Sequence, residues 1–369
     1  MNGDFRIRNS ECRTPTRVNF GFWILDFEFW ISAQQPGSRD RCPAILAEVG
    51  WSKLRRLKLK SMKLLVLFLV GIVTACSGGP APEEPVESQV PVEKLVIYTV
   101  NYPLAYFAER IGGELVEVHF PAPGDEDPAY WSPDAETIAA YQGADLILLN
   151  GADYAKWVAR ATLPTSKMVD TSANFADRLI PLEGTTTHSH GPEGEHEHTG
   201  WAFTTWLDPT LAIEQAQAVA RAIIQQRRSH EAVFNEHFVA LESELRILDQ
   251  RLASAAQAIG DEPLLFSHPV YQYLISRSGF NAVQLHWEPD ETPDGHAWDH
   301  LEQTLASFPA KWVVWEGAPL LETGEGLDDL GIGSVLFDPC GNTPGQGDYL
   351  TVMEANVGSL ETIAETLSR

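Results

Sequence analysis

The densest group of metal-ligating side chains lies at residues 188–198, where His188, His190, His196 and His198 stand among Glu193, Glu195 and Glu197. They are four of the eleven histidines in the chain. Imidazole nitrogen and carboxylate oxygen together suit Zn2+ and neighbouring divalent ions. Gly191, Pro192 and Gly194 interrupt the stretch, which predicts a loop that cannot pack. Closing such a loop on an ion costs conformational entropy, so its affinity is modest and its metal exchangeable. Neutral imidazole is the ligand form, so binding by the loop falls as pH drops through roughly 6.5. The competing reading is a solvated linker without a ligand.

Other chemistry is harder to find. No G-x-S-x-G, H-E-x-x-H, P-loop or G-x-G-x-x-G stands in a suitable context, so the chain does not read as an enzyme. Cys12, Cys42, Cys76 and Cys340 form no CxxC pair and no legible disulfide framework. Cys340 has no evident base beside it, which favours a buried structural thiol over a nucleophile. The net charge is −25, although residues 1–61 carry eleven Lys/Arg against six Asp/Glu. The acidity therefore belongs to the remainder. It excludes nucleic acid as a partner and attracts cations weakly.

One element could position a site between two lobes. In residues 229–260, Phe234, Phe238, Leu241, Leu245, Leu248, Leu252, Ala255 and Ile259 recur at alternating spacings of four and three, one face of an α-helix. Neither Gly nor Pro interrupts it, Ser229 can cap its start, and Gly260 ends it. Such a helix is roughly 45 Å long and reads as a strut. Before it, strand patterns at 95–100, 115–120, 145–150 and 167–170 alternate with helical patterns at 104–111, 133–141 (opened by Ser132) and 154–161. After it come strands at 264–266, 282–286, 312–315 and 335–337, with helices at 270–278, 300–307 and 358–367. This predicts an α/β fold of two lobes, each a mainly parallel sheet with flanking helices, joined by the long helix. A cleft between strand ends is the expected ligand site.

The start of the chain differs in kind. Met62 and Lys63 open an apolar run at 64–75 that ends in small residues before Cys76, the pattern of a secretory signal. The ending Val73-Thr74-Ala75-Cys76 resembles a bacterial lipobox, which makes Cys76 the lipidated mature terminus. Residues 1–61 then read as an upstream extension translated by mistake, 62–75 as signal and the Pro/Glu/Ser-rich 76–93 as a tether. The N-terminal lobe spans 94–228, the linking helix 229–260 and the C-terminal lobe 261–369.

The strings VIYTVNYPLAYFAERIGGELVEV, GADLILLNGADYAKWV, TWLDP, SHPVYQYLISRSGF and FDPCG followed by YLTVMEANVGSLETIAETL occur in an order similar to that of zinc/manganese solute-binding lipoproteins of ABC importers. The resemblance runs from about residue 95 to the end. It implies two α/β lobes, a rigid linking helix, a metal ion between the lobes and a His-rich loop ahead of the Trp-x-Asp-Pro segment.

It also implies four metal ligands, of which two are present. His268 and Asp338 match in the C-terminal lobe, whereas Ala129 and Thr204 stand where the family has histidines. The segment before Ala129 has an extra residue. Two ligands hold Zn2+ weakly, so the loop is expected to carry most of the metal. Glu126, Asp127, His286, Glu291 and Glu316 are conceivable replacements. Trp131, Trp206, Tyr271, Trp287 and Trp298 read first as packing residues.

The function implied is extracytoplasmic, membrane-anchored binding of Zn2+, or of Mn2+ or another divalent cation, by a monomer that serves an ABC permease. The alternatives are a metal buffer or chaperone using only the loop, a cleft repurposed for an organic or chelated ligand, and, as the enzyme reading, a metal-dependent hydrolase.

Overall fold

A computed structural model describes residues 93–182 and 200–368, with the backbone alone of 186–189 and 195–198. The N-terminal lobe is built from β1 (Leu95–Thr99), α1 (Tyr102–Gly112), β2 (Val116–His119), α2 (Ala135–Gly143), β3 (Leu146–Leu149) and β4 (Met168–Asp170). Its sheet has the order β2-β1-β3-β4, with every pairing parallel. β5 (Thr186–Ser189) and β6 (Glu195–His198) form a separate antiparallel pair in which His188 lies opposite His196. The expected irregular loop is thus a hairpin: Thr-Thr-His-Ser and Glu-His-Glu-His form its two strands, while Gly191, Pro192 and Gly194 fall between them. The His188, His190, His196 and His198 side chains lie outside the described residues, as does Cys76 with its signal and tether.

α3 (Pro209–Gln226) leads to α4 (Glu231–Ile259), and every apolar position of the α4 stripe is buried. Its start corrects the expected Ser229 cap. A 3-10 turn at Arg228–His230 precedes α4, and the Ser229 hydroxyl meets the His230 ring instead of a helix amide. The C-terminal lobe holds β7 (Leu264–Phe266), α5 (Gln272–Ser278), β8 (Ala282–Gln284), α6 (Gly295–Ser307), β9 (Trp312–Trp315), α7 (Leu321–Asp329), β10 (Gly333–Leu336) and α8 (Tyr349–Leu367). Its sheet runs β10-β9-β7-β8, again all parallel. Read from the other edge, that is the strand order of the first lobe.

Several boundaries move because an aspartate cap outranks the apolar pattern. Asp134, Asp294 and Asp348 accept the amides of Thr137, Ala297 and Thr351, so α2, α6 and α8 begin there and not at the first periodic hydrophobe. Asp208 starts α3 in the same way, with Pro209 in its first turn. The helix expected at 154–161 is only a 3-10 turn, Lys156–Arg160. Its entry runs through left-handed backbone at Gly151, Ala152 and Asp153, which no α-helix continues.

α4 packs along α1 and α3 on one side and along α5 and α8 on the other. One hydrophobic core consequently extends from Ile97 and Leu148 of the first sheet, through the α4 stripe, to Phe266 and Val314 of the second. A smaller core around Trp287, Trp315 and Leu327 covers the far face of the second sheet. Beneath the first lobe's strand ends, a buried polar network holds the segment that follows the hairpin. Asn101 and Gln215 donate to Asn150 Oδ1, Asn150 donates to the Phe203 carbonyl, and Thr205 donates to Gln215. With its members paired, this network orders the first lobe's side of the cleft.

Candidate metal centre

Strands β7, β8, β9 and β10 all point their carboxyl ends into one cleft. Just past each end stands a potential ligand: His268, Glu288, Glu316 and Asp338. Each is followed at once by Pro or Gly (Pro269, Pro289, Gly317 and Pro339), so the chain leaves the sheet there. Backbone bonds continue the ladder to the site: Ser267 N–H donates to Val314, Trp287 N–H to Ser267 and Phe337 N–H to Trp315. His268 and Glu316 follow β7 and β9, the neighbours between which the strand order reverses. That crevice is where an open parallel sheet binds its ligand.

The side chains converge. His268 is buried, with Nε2 3.2 Å from a Glu288 oxygen and Nδ1 3.6 Å from a Glu316 oxygen. One ligand atom from each of the three lies within 4.8 Å of the others, a spacing that a single metal ion can bridge. Asp338 lines the same cleft, and its carboxylate accepts the Cys340 amide at 2.7 Å. Asn356 brackets its backbone, accepting from the Asp338 N–H and donating to its carbonyl. The cleft, about 480 Å³, is completed from the first lobe by residues including Glu126, Asp127, Tyr154 and Thr204.

So many acids in one enclosed place resist ionising together. Burial pushes the Glu316 carboxyl well above its ordinary 4.5, helped by the Glu288 charge and a hydrogen bond with Glu288, then by Asp127 and Asp338. Burial also raises Asp338, against the lowering effect of the Cys340 amide. A divalent cation would relieve this repulsion by taking the place of protons. Cys340 is buried, and burial followed by the Asp338 and Asp348 charges pushes its thiol up, which fits a packing role.

The sequence-derived residues fare unevenly. His268 and Asp338 do share the cleft. Glu126, Asp127 and Glu316 line it too, whereas His286 and Glu291 are not among its lining residues. Ala129 is buried behind the acidic segment, its N–H donated to Asp127, and the Thr204 hydroxyl donates to the Val270 carbonyl. Trp206 and Tyr271 are buried packing residues tied to Pro339 and Phe337 by their polar ends. Trp287 and Trp298 meet edge to face in the second core. Glu288 escaped the sequence reading. Its signal was the repeated pattern of an aromatic strand end, an ionisable residue and Pro or Gly, seen at Trp287-Glu288-Pro289, Trp315-Glu316-Gly317 and Phe337-Asp338-Pro339.

Fold and cleft together define a two-lobe α/β protein whose two parallel sheets flank a cleft lined by an imidazole and several carboxylates. The family model described as zinc-uptake complex component A, periplasmic, matches residues 97–363, and the chain belongs to that family. It is 22% identical over 319 residues to the zinc-binding lipoprotein AdcA of Streptococcus pneumoniae serotype 4, covering 84% of this chain and 61% of that one. The high-affinity zinc uptake system protein ZnuA of Bacillus subtilis is 23% identical over 256 residues, 69% of this chain and 80% of its own. Among solved structures, the metal-dependent lipoprotein YcdH of B. subtilis shares the fold with a TM-score of 0.63 at 19% identity, covering 73% of this chain and 98% of that one. Zn(II)-bound AdcA of S. pneumoniae also scores 0.63 at 19% identity, over 74% and 58% of the two chains.

Proposed function

We propose that this protein is the extracytoplasmic solute-binding component of an ABC importer, which takes up zinc or a similar divalent cation and releases it unchanged. The observation that carries the reading is the convergence of His268, Glu288 and Glu316 on one bridgeable point inside the interlobe cleft. Asp338, on the same cleft wall, is the candidate fourth donor. This modifies the sequence expectation, in which a two-ligand cleft left most of the metal to the His-rich segment. Here the cleft has enough donors for a site of its own, and His188, His190, His196 and His198 serve as an auxiliary, exchangeable store.

The remaining parts follow from the sequence. Residues 62–75 are removed as a signal, Cys76 carries the lipid, 76–93 is the tether, and the mature monomer presents its cargo to a membrane permease. Relatives named as zinc-binding and manganese ABC transporter substrate-binding lipoproteins support this assignment. Among the described residues no helix is long and apolar enough to cross a membrane.

The test is metal content after equilibration with Zn2+ or Mn2+ and removal of loosely held ion. The intact protein should retain about one tightly held equivalent, and His268→Ala should lose it, since one metal ion draws on all the ligands at once. Equal retention by the two proteins would move the site out of the cleft.

A further inference from the structure

The four strand-end donors all come from the C-terminal lobe, and Ala129 and Thr204 offer nothing from the other side. We infer that the N-terminal lobe supplies Asp127 as its ligand, and that Asn342, reaching across the cleft, is the residue that positions it. This rests on the cleft binding a divalent cation.

The acidic turn at 123–128 carries Asp127, an exposed residue, on the cleft wall. The turn is held from the opposite lobe. Asn342 Nδ2 donates to the Pro123 carbonyl at 2.6 Å and to the Glu126 carbonyl at 2.8 Å. An amide nitrogen has two hydrogens, and here both are spent on the two ends of one turn. Asn342 is itself anchored, since its oxygen accepts the Thr343 amide and the adjoining Gly341 carbonyl accepts the Tyr102 N–H. Within the turn, one Asp127 oxygen accepts the Ala129 amide at 2.8 Å, which sets the carboxylate's direction.

The completed set is one imidazole and four carboxylates. Oxygen donors in that excess suit Mn2+-like ions that accept more than four ligands, while imidazole-rich sets suit Zn2+. The extra residue before Ala129 thus has a role: it lets an acid replace a histidine at the rim. Asp127 adds a hard donor and Asn342 sets the distance at which it is added.

The experiment measures Mn2+ and Zn2+ affinity by calorimetry in the intact protein, counting only the binding that His268→Ala removes. Asp127→Asn keeps the oxygen that accepts the Ala129 amide and so preserves the turn. It should weaken Mn2+ at least tenfold and Zn2+ less. Asn342→Ala should weaken Mn2+ by roughly 10–100-fold, the range for residues that orient ligands. It should shift the Mn2+/Zn2+ ratio in the same direction as Asp127→Asn, which general loosening of the cleft would not do. Asp125→Asn, on the same turn, separates ligation from net charge and should change little. Unchanged affinities in Asp127→Asn and Asn342→Ala, or an equal loss in Asp125→Asn, would overturn the inference and leave the His268 site standing. Binding that survives His268→Ala intact would instead overturn the function it rests on, and this inference with it.

Discussion

At the scale of single residues, the cleft is governed by how little its acids can afford to ionise together. The sign for Glu316 follows from its raised value. Its folded form holds a proton more tightly than the unfolded chain does, so the ion-free protein is favoured at low pH. That advantage declines as pH rises from about 4.5 toward the folded value. Metal affinity runs the opposite way, increasing as the same proton leaves. Thermal melts of ion-free protein should therefore lose stability across this window, and added Mn2+ should stabilise more at its upper end than at its lower. Glu316→Gln should flatten the slope and weaken metal binding. A slope unchanged by that substitution would assign the titration to other groups.

The elements show why the donors meet. Each C-terminal-lobe strand is short and apolar, ends in or near an aromatic residue, and hands the chain to Pro or Gly immediately after an ionisable side chain. Parallel strands then bring those residues to one edge, since every strand ends on the same side. α4 holds that edge opposite the other lobe through its buried stripe. Leu245 is fully buried while Ile247, two positions on, keeps 56% of its surface exposed. Leu245→Ala should cost about 2–5 kcal/mol of unfolding free energy, the range for emptying a packed leucine site. Ile247→Ala should cost under about 0.5 kcal/mol, as surface changes generally do. Chemical denaturation of the two variants checks the contrast, and equal losses would mean that the stripe is not what joins the lobes.

For the whole molecule, one core continuous through α4 and α8 leaves the lobes little freedom. α4 has no Gly or Pro at which to hinge, and bonds such as Asn342 to Pro123 and Trp206 to Pro339 cross between the lobes. Metal entry should proceed by small local movement. Small-angle scattering of ion-free and metal-loaded protein should give superimposable profiles at low angle, and a large compaction would contradict the rigid strut. Much of this was legible beforehand, because periodicity is local. The α4 stripe announced a helix, the alternation of strands and helices announced parallel sheets, and the segments at His268 and Asp338 announced two residues that line the cleft. The weaker points were local as well: caps at Asp134, Asp294 and Asp348 displaced helix starts, and two strands formed on either side of the Gly and Pro that suggested a loop.

What the chain's order of residues determined by itself was the kind of most elements and the presence of donors past the strand ends. Which donors come together was decided only by the tertiary structure. Glu288 and Glu316 are 20 and 48 residues from His268 along the chain, and nothing local relates them. They meet because β8 and β9 both pair with β7, one on each side, so strand order fixes their separation. The turn that carries Asp127 lies farther still from Asn342 in sequence, and the bonds from Asn342 to Pro123 and Glu126 cross from one lobe to the other. Ligand identity here is a property of strand pairing and lobe packing, which arise from contacts between distant residues.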